Sequence, residues 1–291
     1  MSLMVRINLI VAAALAAVGL ILSYVCWNVM QTNARRTVLD EASLMMDSAL
    51  ATRTYTSTEI VPLLESRMRT EFLPQSVPFY AATQNFLKLR AQYPEFTYKE
   101  AALNPTNPRD RATDWEADVI QQFRDVPGTR QIVGQRETAM GSALYLAKPI
   151  RAEAECLLCH ASAATAPATL LARYGSDNGF GWQANEVVGA HIVSVPLRDA
   201  TAKAAVTFHR ILAAIILSML CLLLLINAAI YLLIVRPIHR IVAVADELSV
   251  GNASAAAFDS RGTREFAALV RAFERLRMSL SKAMQLLEPG E

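Results

Sequence analysis

The chain has 291 residues, of which 53% are hydrophobic and 19% charged, and its formal net charge is +2. This composition is too apolar for an ordinary soluble domain and indicates membrane-spanning segments. The small net charge, without a basic cluster interleaved with aromatic residues, gives no support to nucleic-acid binding. We therefore expect a membrane protein with no nucleic-acid partner.

Two uncharged apolar runs, residues 7–30 and 211–235, account for this composition. Each exceeds the roughly 20 residues that cross a hydrocarbon core. The first is longer than the apolar core of a signal peptide and lacks a following A-x-A site, which favours an uncleaved anchor. We predict two transmembrane helices, with residues 31–210 as one domain between them and residues 1–6 and 236–291 on the opposite side. Arginines flank both runs, so the positive-inside rule does not choose the orientation.

The segment after the first run is predicted to be helical. Residues 35–69 have helical periodicity and no glycine, and Pro62 is expected to bend them. A second helix ends before Pro94, and a short β-like piece follows it. Asp114 is then expected to cap a third helix.

The later half of the domain changes to β-strand patterns. Residues 130–137, 142–150 and 186–197 are β-branched or alternating runs separated by turn residues, which predicts antiparallel strands. Helices followed by a small sheet with a loop-rich insert place the domain in the α+β class.

The run at residues 152–162 contains Cys156 and Cys159 with His160 directly behind them. In this C-x-x-C-H pattern both thiols can add across the two vinyl groups of haem, and the adjacent imidazole then binds the iron as proximal ligand. The spacing therefore predicts one covalent haem c on Cys156 and Cys159, with His160 as iron ligand.

Three other interpretations of the two cysteines are open. A zinc site needs four ligands, and the other cysteines, Cys26 and Cys221, lie inside the apolar runs. A thioredoxin-like dithiol does not include the directly following histidine. A structural disulfide is the third. Covalent haem is attached outside the bacterial cytoplasmic membrane, so the haem interpretation places residues 31–210 in the periplasm and both termini in the cytoplasm.

A second iron ligand is less clearly marked. His191 lies on a predicted strand face with Val187 and two later valines, where it is either a core histidine or a candidate distal ligand. Met45, Met46 and Met140 are rival candidates, although each fits plain core packing. An open, gas-binding position is the remaining alternative.

Two further features are candidates for contact with haem. Arg109, Arg111 and Arg173 lie in predicted loops and are candidates to bind the propionates, although a solvated surface arginine is the commoner fate. The glycine-rich loop 174–183 follows the motif and is expected to fold over the haem edge.

The tail after the second apolar run contains two short amphipathic helices. The first has Ile238, Ile241, Ala245 and Leu248 at heptad spacing, and the second has Phe266, Leu269, Phe273, Leu276 and Leu280. Two such helices cannot bury their apolar faces alone and need a partner, most simply the same tail of a second chain. A helix pair lying on the lipid surface is the alternative.

This tail resembles a HAMP linker. Pro237 stands at the membrane exit, Gly251 ends the first helix and Glu265 precedes the second; an asparagine often stands where this chain has Glu274, and an aspartate where it has Arg264. The resemblance implies a parallel four-helix bundle in a homodimer that relays a change across the membrane.

The domain resembles the bacterial periplasmic c-type haem family with a PAS-like fold, often fused to HAMP. The resemblance rests on EIVPLL, SVPFYAATQNF, YKEAALNPTNPRDRATDWEADVIQQFR, ECLLCH, NGFGW and EVVGAHIVSVPL in the same order. It implies one covalent haem and a role as a redox or ligand sensor. In such proteins a cysteine can be the other axial ligand, but this domain has no spare cysteine.

Two functions follow from these features. We predict a two-pass sensor of the bacterial inner membrane, not an enzyme, that relays haem redox state or ligand binding through HAMP to a separate effector. The alternative is a membrane-anchored monohaem cytochrome that transfers electrons to a redox partner. No Ser-His-Asp set, phosphate loop or acid pair supports an enzyme.

Overall fold

A computed structural model describes residues 3–139, 141–249 and 264–287. The chain divides into two compact units. One is Cys26–Phe208, and the other combines Met1–Val25 with His209–Glu291. Each unit has its own hydrophobic core.

The secondary structure follows the predicted order. The helices are α1 (Leu3–Tyr55), α2 (Val61–Met68), α3 (Pro78–Leu89), α4 (Asp114–Asp125), α5 (Ala154–His160), α6 (Ala168–Tyr174), α7 (Arg198–Ile230), α8 (Arg236–Ser249) and α9 (Arg264–Leu287). The strands are β1 (Thr97–Ala102), β2 (Ile132–Thr138), β3 (Gly141–Arg151) and β4 (Val187–Pro196). The predicted α+β class, with a long N-terminal helix and a small antiparallel sheet, is confirmed.

The unit Cys26–Phe208 is built on a four-stranded antiparallel sheet with the order β1-β4-β3-β2. The last strand, β4, lies inside the sheet and is buried along nearly its whole length. Helices α1 and α3 pack on one face, in a cluster that includes Met46, Phe86 and Leu146. Helix α4 packs on the other face through Ile120 and Phe123.

A bulge in β4 reverses its faces near the start of the strand. Ile150 pairs with Gly189, whereas Arg151 pairs with Val187, so Val188 is an extra residue in β4. Val187 therefore packs in the α4 cluster, and His191 lies on the opposite face. The prediction that these two residues share a face is wrong because strict alternation does not continue through a bulge.

Two local features show how the helices begin and bend. The N–H of Val61 donates to the carbonyl of Thr56, and this π-helical turn widens the helix directly before Pro62. At α4 the cap is Thr113 rather than the predicted Asp114: Thr113 and Glu116 form a capping box. Asp114 is the first residue of α4, and its negative charge stabilises the helix by its interaction with the helix dipole.

Two helical segments, Met4–Met68 and Arg198–Glu247, contain a stretch long and apolar enough to cross a membrane, by length and composition only. They contain the two predicted spans, which stay a prediction, as do the domain boundaries. Near the first span, the ring of Trp27 packs edge-on against that of Phe208, with centroids 5.1 Å apart.

In the second unit, α8 and α9 pack through Ile241 and Val270, with Phe266 and Phe273 against them. A π-helical turn, Tyr231–Val235, precedes Pro237, as another precedes Pro62. The predicted seam is confirmed in part, because Ile238, Leu269 and Leu276 are exposed beside it. Gly251 and the side chains of Leu248, Glu265 and Leu280 lie outside the described part of the chain.

Candidate functional site

The C-x-x-C-H residues lie on α5, a helix of seven residues. Cys156 and Cys159 are three residues apart, so both thiols lie on one side of a single turn. Both are free and half-buried. Burial raises the pKa of Cys159, and the neighbouring Cys156 raises it further. The helix thus presents two thiols and one imidazole within about one and a half turns.

The imidazole of His160 is held in one tautomer. Its Nδ1 lies 2.7 Å from the carbonyl oxygen of Gly179. A carbonyl only accepts, so Nδ1 carries the hydrogen and Nε2 carries the lone pair. The ring stacks on Trp182, with centroids 4.1 Å apart and 15° between the planes. Burial lowers the pKa of His160, and the bond to Gly179 partly opposes this.

The glycine-rich loop holds this histidine. The N–H groups of Gly181 and Trp182 donate to the carbonyls of Ala161 and His160. Gly179 has φ +85°, and a Cβ there would overlap Thr106, so this position requires glycine. The loop therefore contacts the motif directly, and its predicted contact with a haem edge stays a prediction.

His191 lies elsewhere, on β4, and is only 6% exposed. Its Nδ1 is 3.2 Å from the hydroxyl of Tyr98 and 3.7 Å from Glu100. Burial, with the charges of Arg53 and Lys148, lowers its pKa to about 3. Among the described residues, no hydrogen bond or ring contact joins His191 to α5, so its role as distal ligand stays a prediction.

Sequence reasoning missed the buried group around His191. Glu100 is 2% exposed, contacts the guanidinium of Arg53 and accepts a hydrogen bond of 2.6 Å from the Tyr98 hydroxyl. Burial raises the pKa of Glu100, and Arg53 opposes that effect. The available signal was the alternation of β1, which puts Tyr98 and Glu100 on one face.

The other candidate residues lie on several different elements of the domain. Arg109 and Arg173 are exposed, and exposed Arg111 is 3.5 Å from Asn178. Asp110, between Arg109 and Arg111 in the sequence, is half-buried, and this burial is the main reason that its pKa is raised to about 6. Met46 is fully buried in the α1 cluster and Met45 packs against that cluster, while Met140 lies outside the described residues.

Covalent haem fits the residues of α5 better than a bare metal ion does. Within residues 3–139, 141–249 and 264–287, His, Cys, Asp and Glu form no cluster of three or more that could hold an ion. Haem brings four nitrogen ligands with it, so the motif has to supply only two thiols and one imidazole lone pair. His160 has that lone pair at Nε2, because its Nδ1 hydrogen is donated to Gly179.

Comparison with known proteins identifies two domain families in this chain. The sequence model of the Tll0287-like family matches residues 31–196, and that of the HAMP domain matches residues 229–282. The chain is similar to the crystal structure of the cyanobacterial heme-protein Tll0287, with 16% identity and a TM-score of 0.42, over 54% of this chain and 94% of that one. No curated protein matches the sequence. Since the first match covers more than half of the chain, the protein belongs to the Tll0287-like family, and its C-terminal part is a HAMP domain.

Proposed function

We propose that this protein is a membrane-anchored haem sensor that relays the redox or ligand state of one covalent haem c to its HAMP domain. Cys156 and Cys159 hold the haem, and His160 is the proximal ligand. The single observation that carries the proposal is the fixed tautomer of His160, whose Nδ1 hydrogen is donated to Gly179. Family membership and the HAMP match in the same chain support it.

Each residue of the site has a defined task. The thiols of Cys156 and Cys159 attach the porphyrin, and one turn of α5 fixes their spacing. The carbonyl of Gly179 and the ring of Trp182 orient His160, which also makes its Nε2 more basic. When bound, the haem supplies an iron that changes oxidation state or binds a small ligand.

One continuous helical segment, Arg198–Glu247, joins the sheet to the HAMP domain. Strand β4 ends at Pro196, and α7 begins two residues later at Arg198 and continues to Ile230. A shift of this buried strand would therefore act on a helix that leads to the HAMP residues without an intervening loop. This continuity favours a relay over a cytochrome that only carries electrons.

The proposal includes a location and an assembly. The two apolar segments would anchor the protein in the bacterial inner membrane, with the PAS-like haem domain in the periplasm and the HAMP domain in the cytoplasm. A homodimer would bury the apolar residues that the α8–α9 pair leaves exposed, Ile238, Leu269 and Leu276. The signal would then pass to a cytoplasmic effector, which we expect to be a separate protein.

Cross-linking between the HAMP helices tests the relay. Leu276→Cys is placed in a variant in which the cysteines of the apolar runs are changed to serine, and full-length protein in membranes is treated with a bis-maleimide. We expect the rate of cross-linking between chains to differ between oxidised and reduced haem. Arg275→Cys, on the charged side of α9, is the matched control and should cross-link less. Equal rates in both redox states would contradict the relay and favour the electron carrier.

A further inference from the structure

A polar cavity lies in the unit Cys26–Phe208 between the sheet and the helices that lead to the predicted spans. Its volume is about 560 Å³, within the roughly 300–1,000 Å³ of small-ligand sites. Helix α1, the β2–β3 hairpin and the start of α7 line it. Because α1 and α7 are also the helices that contain the two apolar runs, a ligand in this cavity would contact both of them.

Two arginines give the cavity a positive charge. Arg35 of α1 and Arg198 of α7 both line it, and none of its described lining residues is acidic. Within the part of the chain that the structure describes, the guanidinium of neither arginine forms an ion pair. The planar fork of a guanidinium matches the oxygens of a phosphate. Two such groups at one cavity therefore favour a ligand that carries a phosphate.

The neutral residues of the cavity add hydrogen-bond donors. Nε2 of Gln135 donates to Oγ of Ser142 at 2.7 Å, so Ser142 keeps its own hydroxyl hydrogen for another acceptor. Gln31 and Thr32 also line the cavity, one turn before Arg35 on the same face of α1. The oxygens of a phosphate dianion or diester accept hydrogen bonds and do not donate them. The donors of the cavity therefore suit it.

The position of the cavity along α1 matches the depth of lipid headgroups. With residues 7–30 as the first span, Arg35 stands about 7–8 Å beyond the apolar run, and the headgroup layer extends about 5–8 Å beyond the hydrocarbon core. Side chains of a helix lean toward its N-terminus, so Arg35 leans toward the membrane. Nearer the membrane, the ring of Trp27 packs against that of Phe208, which shows that α1 and α7 run side by side to this level.

From this arrangement we infer that the cavity binds the phosphate of an anionic phospholipid headgroup, which Arg35 and Arg198 contact from two sides of the cavity. The inference rests on the membrane anchoring in the proposed function. Basic pockets beside transmembrane helices suit the headgroups of anionic lipids. A free phosphate has the same oxygens, and the depth of the cavity favours the lipid. The bound headgroup joins the two helices that lead to the spans.

Native mass spectrometry of the full-length protein in detergent measures this binding. The protein is titrated with dioleoyl phosphatidylglycerol, which is anionic, and with dioleoyl phosphatidylcholine, which has no net charge. We expect the wild type to bind the anionic lipid more tightly. Arg35→Gln and Arg198→Gln should each weaken that binding about fivefold, through the loss of one cationic contact. Arg36→Gln is the matched control: Arg36 is exposed on α1 but does not line the cavity, so binding should stay within about twofold.

The outcomes distinguish the site from a general effect of charge. An equal loss in Arg36→Gln, or equal binding of the two lipids, would overturn the inference. Inorganic phosphate is titrated in the same way. Phosphate binding that depends on Arg35 and Arg198, without a preference between the lipids, would overturn the lipid in favour of a soluble anion. All three arginines are exposed, so each variant should fold.

Washing the membranes with alkaline carbonate tests the anchoring separately. Release of the full chain would overturn the anchoring, and the lipid inference with it. A chain that stays in the membrane but shows no preference for the anionic lipid would overturn the inference alone.

Discussion

The ion pair between Arg53 and Glu100 yields a prediction about stability. The side chain of Glu100 is 1% exposed and that of Arg53 is 25% exposed. Arg53→Met leaves the carboxylate buried without its cation, which costs about 3–5 kcal/mol. Glu100→Gln leaves a guanidinium that already reaches water and an amide that still accepts from Tyr98, so we expect about 1–2 kcal/mol.

The two substitutions should not be additive. In the double variant no buried carboxylate remains, so its cost should approach that of Glu100→Gln, and the coupling energy should approach the cost of Arg53→Met, about 3–5 kcal/mol. The cost of Arg53→Met should also depend on pH. Burial raises the pKa of Glu100 and Arg53 opposes this, so removing Arg53 raises the pKa further. A raised carboxyl pKa in the folded state means that stability is lost as pH rises, so Arg53→Met should cost more at pH 8 than at pH 5.

Thermal unfolding of the purified protein, followed by near-ultraviolet circular dichroism, measures these differences. At about 2–4 °C per kcal/mol, Arg53→Met should lower Tm by about 6–20 °C. Arg69→Met is the matched control, because Arg69 pairs with Glu65 on the surface, and its cost should be below about 1 kcal/mol. Equal Tm losses for Arg53→Met and Glu100→Gln, or simple additivity, would refute the reasoning.

Three further predictions concern the elements around the site. Thr113→Ala removes the capping box of α4 and should cost about 1 kcal/mol, read as a lower Tm; an unchanged Tm would contradict the cap. Asp110 has its pKa raised to about 6, so its ionisation lowers stability as pH rises toward 6; Asp110→Asn should raise Tm at pH 7 but not at pH 4. Gly179→Ala should lower Tm more than Gly175→Ala, since both have positive φ but only the first Cβ would overlap Thr106; equal losses would show that the overlap is relieved.

The sequence predicted the elements because their apolar periodicity is strong and local. The strands at residues 130–137, 142–150 and 186–197 are found as β2, β3 and β4. The opposite faces of His191 and Val187 could not be predicted, because the bulge depends on how β3 and β4 pair at the edge of the loop-rich insert.

The site was predictable only in part for a similar reason. The spacing of Cys156, Cys159 and His160 is local, so the sequence alone could predict a haem attachment at these residues. The partner of Glu100 is Arg53, 47 residues earlier, and neither residue marks the other in the sequence. The carbonyl of Gly179 likewise orients His160 through a contact that only the folded chain forms.

Covalent haem is the central claim, and one measurement tests it most directly. Full-length protein and a Cys156→Ala, Cys159→Ala double variant are produced in the same host that matures c-type cytochromes, denatured, separated on a gel and stained for haem. The account predicts a stained band of the full chain in the wild type and none in the double variant. A wild-type band without stain, or a stained band in the double variant, would contradict it.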